Sequence, residues 1–161
     1  MKKTNPSGQI VLLLQVIDEG YSKKAWHGPN LLGSIRGVTP KQASWRPSPE
    51  RHNIWENVVH CAYWKYVVRR RILGEKKGSF PVNGSNWFKR PEDDSEDAWK
   101  QDIQLLDDMN DMMVDAVDGL KLSDLSKKVW GSWSAQSTLY GIAMHDVYHA
   151  GQIQLLKRLM K

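Results

Sequence analysis

Cysteine is nearly missing from this chain, with Cys61 the single one in 161 residues. One thiol excludes an intrachain disulfide, a CxxC redox pair and a zinc ribbon, and it makes a reducing, cytoplasmic setting the expectation. Long apolar runs are missing as well. The early stretch QIVLLLQV is short, is followed at once by Asp18 and Glu19, and shows no small-residue cleavage pattern, so it reads as a core helix. Nothing elsewhere approaches the roughly 20 apolar residues that span a bilayer, and no membrane partner is expected. Internal repeats, low-complexity tracts and a second-domain linker are also absent. A chain of this length can bury a core without staples, so residues 1–161 are read as one domain.

Positive charge is present but unevenly spread. Residues 92–118 hold eleven of the eighteen acidic residues and one lysine, a net of −10, so the rest of the chain carries +15 for a total of +5. Many of the basic residues (Arg69 to Arg71, then Lys157, Arg158 and Lys161) fall at the ends of expected helices, where cations complement the helix dipole. Nucleic acid is therefore not the expected partner despite a sequence pI near 9.3.

Apolar periodicity of the helical kind dominates what remains. Long helices are expected over about 7–23, 53–73, 95–120 and from 134 to the end, with short helical pieces after Pro29 and at Thr39-Pro40. A loop of about twenty residues, GEKKGSFPVNGSNWFKRPED, joins the second and third long helices. That is too long for a plain bundle connection and is suited to covering one end of a site. The fold class expected is all-α, an antiparallel four-helix bundle with one or more long crossovers.

Five histidines are present, and three fall where chemistry is possible. His145 and His149 are four residues apart on the last helix, so their side chains diverge by only about 40° and share its apolar face with Ile142 and Leu156. His60 lies at the edge of the apolar side of the second long helix and also points inward. A buried histidine can simply satisfy its hydrogen bonds in a core, with the two nearby tyrosines and Gln152 as partners. An inward HxxxH pair facing a third histidine is also the way bundle cores hold a metal ion. Two catalytic patterns do not fit. A metalloprotease HExxH needs a glutamate where this sequence, HDVYH, has Asp146 about 100° off the histidine line, a position expected to be solvated. An HD-type phosphohydrolase needs a further aspartate downstream, and none follows Asp146.

The segments HNIWENVVHCAYWKYVVRRRILG, HDVYHAGQIQLLKRL and WHGPNLLGSIRGVTPKQASWRP resemble the DinB-like (damage-inducible protein B) superfamily over nearly the whole chain. The resemblance implies an up-down-down-up four-helix bundle in which His60, His145 and His149 bind one divalent ion, nickel or zinc. Some members are metal-dependent thiol transferases that use bacillithiol, mycothiol or glutathione, and others resemble maleylpyruvate isomerases. The function expected is therefore a metal-dependent transferase or hydrolase acting on a small thiol-containing or electrophilic substrate. The alternative is a non-enzymatic metal-binding stress-response or interaction protein, and segregated charge together with dimers among relatives suggests a homodimer.

Around the three histidines, Glu56 sits one turn before His60 and is the candidate catalytic residue, able to orient that histidine or accept a proton, or else simply to pair with a basic neighbour. Gln152 is expected to tie helices together or touch a ligand. His27, in Ala-Trp-His-Gly-Pro, is read as a turn residue anchored by Trp26, with gating of the metal cleft as the other reading. Cys61 points away from the ion and should be buried and inert. Met109, Met112 and Met113 are read as core.

Overall fold

The computed structural model describes residues 8–160, so the expected helix start at residue 7 and the basic Lys161 lie outside the described residues. Six helices form: α1 (Gly8–Tyr21), α2 (Leu31–Ile35), α3 (Pro40–Ser44), α4 (Ile54–Ile72), α5 (Glu96–Asp118) and α6 (Ala135–Leu159). Their starts are written in the sequence as side-chain caps. Asn53 accepts a hydrogen bond from the Glu56 amide while the Glu56 carboxylate reaches back to the Asn53 amide, and Thr39 and Gln42 do the same for α3, with Pro40 in its first turn. Ser95 and Ser134 cap α5 and α6. The short piece after Pro29 is capped by Asn30, so Pro29 stays outside it. α4 closes on Arg69, Arg70 and Arg71 in its last turn, and Gly74 at φ +70° turns the chain away.

Side-chain meetings fix the helix directions. Trp55 packs on Trp99 and donates to Asp102, while Val68 shares a cluster with Met113 and Val117, so α4 and α5 run parallel. Asn57 meets His149 and Lys65 meets Asp146, so α4 and α6 run antiparallel. Ile10, Leu13 and Ile17 cluster with Leu139, Ile142 and Ala143, and Gly20 lies against Ala143 and Val147, which sets α1 parallel to α6. The result is the expected up-down-down-up bundle, with α1 packed against α5 and α6, and with the parallel neighbours α4 and α5 joined by a long crossover over residues 73–95. No helix among the described residues is long and apolar enough to cross a membrane.

One element was not expected. Lys128–Trp130 (β1) and Trp133–Ser134 (β2) form an antiparallel hairpin just before α6, turning at Gly131 with φ +55°. It carries Trp130 to a stacked contact with Trp64 of α4, at 5.5 Å between ring centroids. Two apolar clusters fill the bundle, one around the amino-terminal halves of α4 and α5, the other around α1 and the amino-terminal half of α6.

Candidate metal centre

Between those clusters, α4 is buried on every side from Asn53 to Ala62 because it lies against α3, α5, α6 and the long loop. His60 therefore has nowhere to point but inward, toward α6. His60 Nε2 lies 3.0 Å from His145 Nε2, which lies 3.2 Å from His149 Nε2, and the three donor atoms all fall within 4.8 Å of one another. His60 and His149 are buried and His145 is half-buried.

The far nitrogens decide what the near ones carry. His60 Nδ1 is 2.7 Å from the Asn86 carbonyl oxygen, which only accepts, so His60 holds its proton on Nδ1. Asn57 donates its amide Nδ2 to the Asn53 carbonyl, which turns its Oδ1 toward His149 Nδ1 at 2.7 Å and fixes the proton there too. Both Nε2 atoms thus present lone pairs toward His145 Nε2. A proton on His145 Nε2 satisfies one of them and leaves the other facing it. One cation satisfies all three Nε2 atoms and places the His145 proton on Nδ1, a buried atom with no hydrogen-bond partner among the described residues. The spacing suits it as well, since zinc–nitrogen bonds of 2.0–2.1 Å in a tetrahedral set put ligand nitrogens about 3.3 Å apart.

A family model described as the DinB superfamily matches residues 25–153, a span that holds all three histidines and their partners. The chain belongs to the DinB superfamily. No curated protein and no solved structure matches it. In this DinB-superfamily chain the residues that orient the histidines, Asn57, Asn86 and Trp87, were not singled out from the sequence. Asn57 did leave a signal, a polar residue one turn before His60 in a run that is otherwise mostly apolar. Asn86 and Trp87 left only the unusual length of their loop, which covers the site as expected. Trp87 stacks on His60 at 3.8 Å and, by its other face, on His52 at 3.6 Å, while Asn86 also accepts from the Trp64 indole through its side chain.

Of the two placements expected for Glu56, the structure has the pairing with a basic neighbour. Arg46 holds both of its oxygens, at 2.8 and 2.7 Å, and His52 Nδ1 is 2.9 Å away. Burial alone would raise its pKa, but the hydrogen bonds from Arg46 and His52 outweigh that and the carboxyl lies below its ordinary value. Two paths connect it to the histidines: the His52–Trp87–His60 stack, and Asn53, whose amide donates to Glu56 and whose carbonyl accepts from Asn57. Asp146 is the clearest correction, because it is fully buried in an ion pair with Lys65 of α4 and not solvated. Trp26, expected as an anchor, is 101% exposed, and His27 is exposed beside Pro29, Val147 and Gly151 on the far side of α6. Met109 and Met113 are core, but Met112 is exposed. Cys61 is fully buried, and burial pushes its thiol well above the ordinary pKa, with Asp146 adding to the rise and Lys65 opposing it. Gln152 is half-buried, and it opposes the lowering of the His149 pKa.

Burial also keeps the three histidines neutral. It lowers His145 to about 3, with His149 and His60 adding to the effect, and lowers His149 to about 4, with His60 adding and Gln152 opposing. His60 is lowered by burial against the opposing Asn86 hydrogen bond. Because these folded-state values lie below the unfolded value near 6.5, the unfolded chain binds more protons below neutrality. The stability they contribute is fully present above about pH 6.5 and is lost as pH falls toward 4 and then 3. Thermal melts of the metal-free protein should therefore shift down between pH 7 and pH 5. A flat profile over that interval would contradict the neutral, buried state.

Proposed function

We propose that this protein binds one divalent ion, zinc or nickel, through His60, His145 and His149 and uses it as a metal-dependent transferase or hydrolase on a small thiol-containing or electrophilic substrate. The observation that carries the reading is the pair of Nε2 lone pairs, fixed by Asn86 and Asn57, that converge on His145 Nε2. When bound, such an ion supplies Lewis acidity and acidifies a water or thiol that joins it. Three neutral ligands leave the ion its full charge and at least one position for a fourth partner.

The chain's own residues do the rest. His60 is held in register by Asn86 and by the Trp87 face, His149 by Asn57, and Trp64 packs edge-on against both His60 and His145. Those aromatic walls exclude water from one side of the histidines and strengthen the electrostatics there. Trp64 and His145 also line an open cleft, the route by which a substrate would reach the centre.

Untagged protein should hold one equivalent of zinc or nickel, and cobalt-substituted protein should show a sulfur-to-metal charge-transfer band when a small thiol is added. Chelation should remove the metal and leave helical circular dichroism in place, because the core stands without it. No metal at one equivalent, or cobalt spectra indifferent to thiols and to azide, would overturn the enzyme reading.

A further inference from the structure

Beside the three histidines runs a cleft of about 240 Å³. It is lined by Trp64, Trp130 and Trp133, by Val68, Ile142 and Gly141, and by His145, the one metal-centre histidine that it touches. Besides His145, its polar groups are the hydroxyls of Ser137 and Thr138 and the indole N–H groups of the three tryptophans, of which that of Trp64 is given to Asn86. The two hydroxyls are already engaged with Ser134, Ser137 through its side chain and Thr138 through its carbonyl. No charged side chain lines it, although a guanidinium, that of Arg71, lies over the Trp130 ring at 5.2 Å. In a chain with twenty-three basic and eighteen acidic residues, an uncharged cleft touching a metal centre is selective for what it admits.

The hairpin explains how the cleft exists. β1 and β2 hold Trp130 and Trp133 above α6, and Trp130 is braced by its stack on Trp64, which in turn packs on His60 and His145. Below them α6 carries glycine at 141. A Cβ built there meets no atom within 4 Å, and Gly141 lines the cleft, so a longer side chain at that position has room to occupy it. Glycine in a helix interior costs about 1 kcal/mol relative to alanine. No atom crowds Gly141 that a methyl group would displace.

We propose that this cleft is the subsite for the apolar part of the substrate, an uncharged aryl or branched alkyl group whose polar head reaches the metal centre at the His145 end. This rests on the metal-centre reading above and adds to it the class of group attached to the reacting head. The volume sets the size: an apolar cavity of about 150 Å³ admits benzene, so this one takes a single ring with a substituent, or a short branched chain. Charged thiols are disfavoured inside it, because they would lose hydration with no counter-ion on its lining.

The test compares benzyl mercaptan with 2-mercaptoethanol by calorimetric titration of zinc-loaded protein. Benzyl mercaptan should bind about 10- to 100-fold more tightly, the increment expected for burying one phenyl ring. Gly141→Leu, which fills the cleft and improves helix propensity, should abolish that advantage with zinc content unchanged, and Gly141→Ala should retain most of it. Equal affinities for the two thiols, or an advantage that survives Gly141→Leu, would overturn the inference. A second arm separates it from the metal reading. In metal-free protein, benzyl alcohol should shift the indole N–H resonances of Trp64 and Trp130, and should not do so in Gly141→Leu. If zinc does not bind at all, the proposed function fails and these shifts alone decide the subsite, their absence overturning it.

Discussion

Lys65→Met should destabilise the protein by about 3–5 kcal/mol, among the largest effects of any single substitution outside the three histidines. Lys65 and Asp146 are both fully buried, joined directly across α4 and α6, and the Lys65 ammonium also sits 4.6 Å from the Tyr21 ring centre. Asp146 has one oxygen on Lys65, while the other has no hydrogen-bond partner among the described residues. Removing the ammonium leaves a carboxyl in the core with neither counter-ion nor donor. Burial already pushes the Asp146 pKa up, with Lys65 opposing, so in the variant this group should take a proton and still remain poorly satisfied. The double variant Lys65→Met/Asp146→Leu should recover most of the loss, since a buried pair replaced by apolar residues of similar size is often neutral or better. Urea denaturation of both variants measures this. A single variant within about 1 kcal/mol of the wild type would show that the pair is solvated, contrary to its burial.

That pair also marks where the sequence stops being legible. Helical periodicity and caps placed all four long helices to within a few residues, because those signals are local. Asn53 with Glu56, Ser95 and Ser134 act on amides three residues away. Periodicity also brought His145 and His149 to one face. The solvated position expected for Asp146 followed from the same wheel, but a charged residue is buried or exposed according to its partner, and this partner is 81 residues earlier. Glu56 meets the same limit: pairing with a basic neighbour is legible from its position, but the neighbours themselves, Arg46 and His52, come from the irregular segment before α4. Trp26 illustrates the converse, a large aromatic whose burial was assumed from its type and which no element covers. The hairpin of β1 and β2 has three residues in one strand and two in the other, too few for an alternation to register. Yet it supplies two of the three tryptophans of the cleft.

His149→Ala should lower zinc affinity by more than about 100-fold, whereas Asn57→Leu should lower it by about 10- to 100-fold, the range for a residue that orients a ligand without touching the ion. His149 offers its Nε2 directly to the centre. Asn57 acts one step back, and its influence comes from geometry on both sides. With its amide nitrogen donating to Asn53, only its oxygen faces His149, so only the tautomer with a free Nε2 is accommodated. Leucine fills similar space but leaves the imidazole free to change tautomer and to rotate, so part of the affinity remains. Glu56→Gln separates the two classes further. Its carboxylate is bound to Arg46 and His52, so the substitution should reduce stability by weakening that cluster while zinc affinity stays close to wild type. His27→Ala, exposed and on the opposite side of α6, should change neither. Chelator competition on untagged variants gives the affinities, and melts of the metal-free forms give the stabilities. Should Glu56→Gln lose zinc as fully as His149→Ala, the carboxylate would be a ligand and the Arg46 pairing would have to break to allow it. Should Asn57→Leu leave zinc affinity unchanged, the tautomer of His149 would not be set by Asn57, and the lone-pair argument for a cation at this centre would lose one of its two supports.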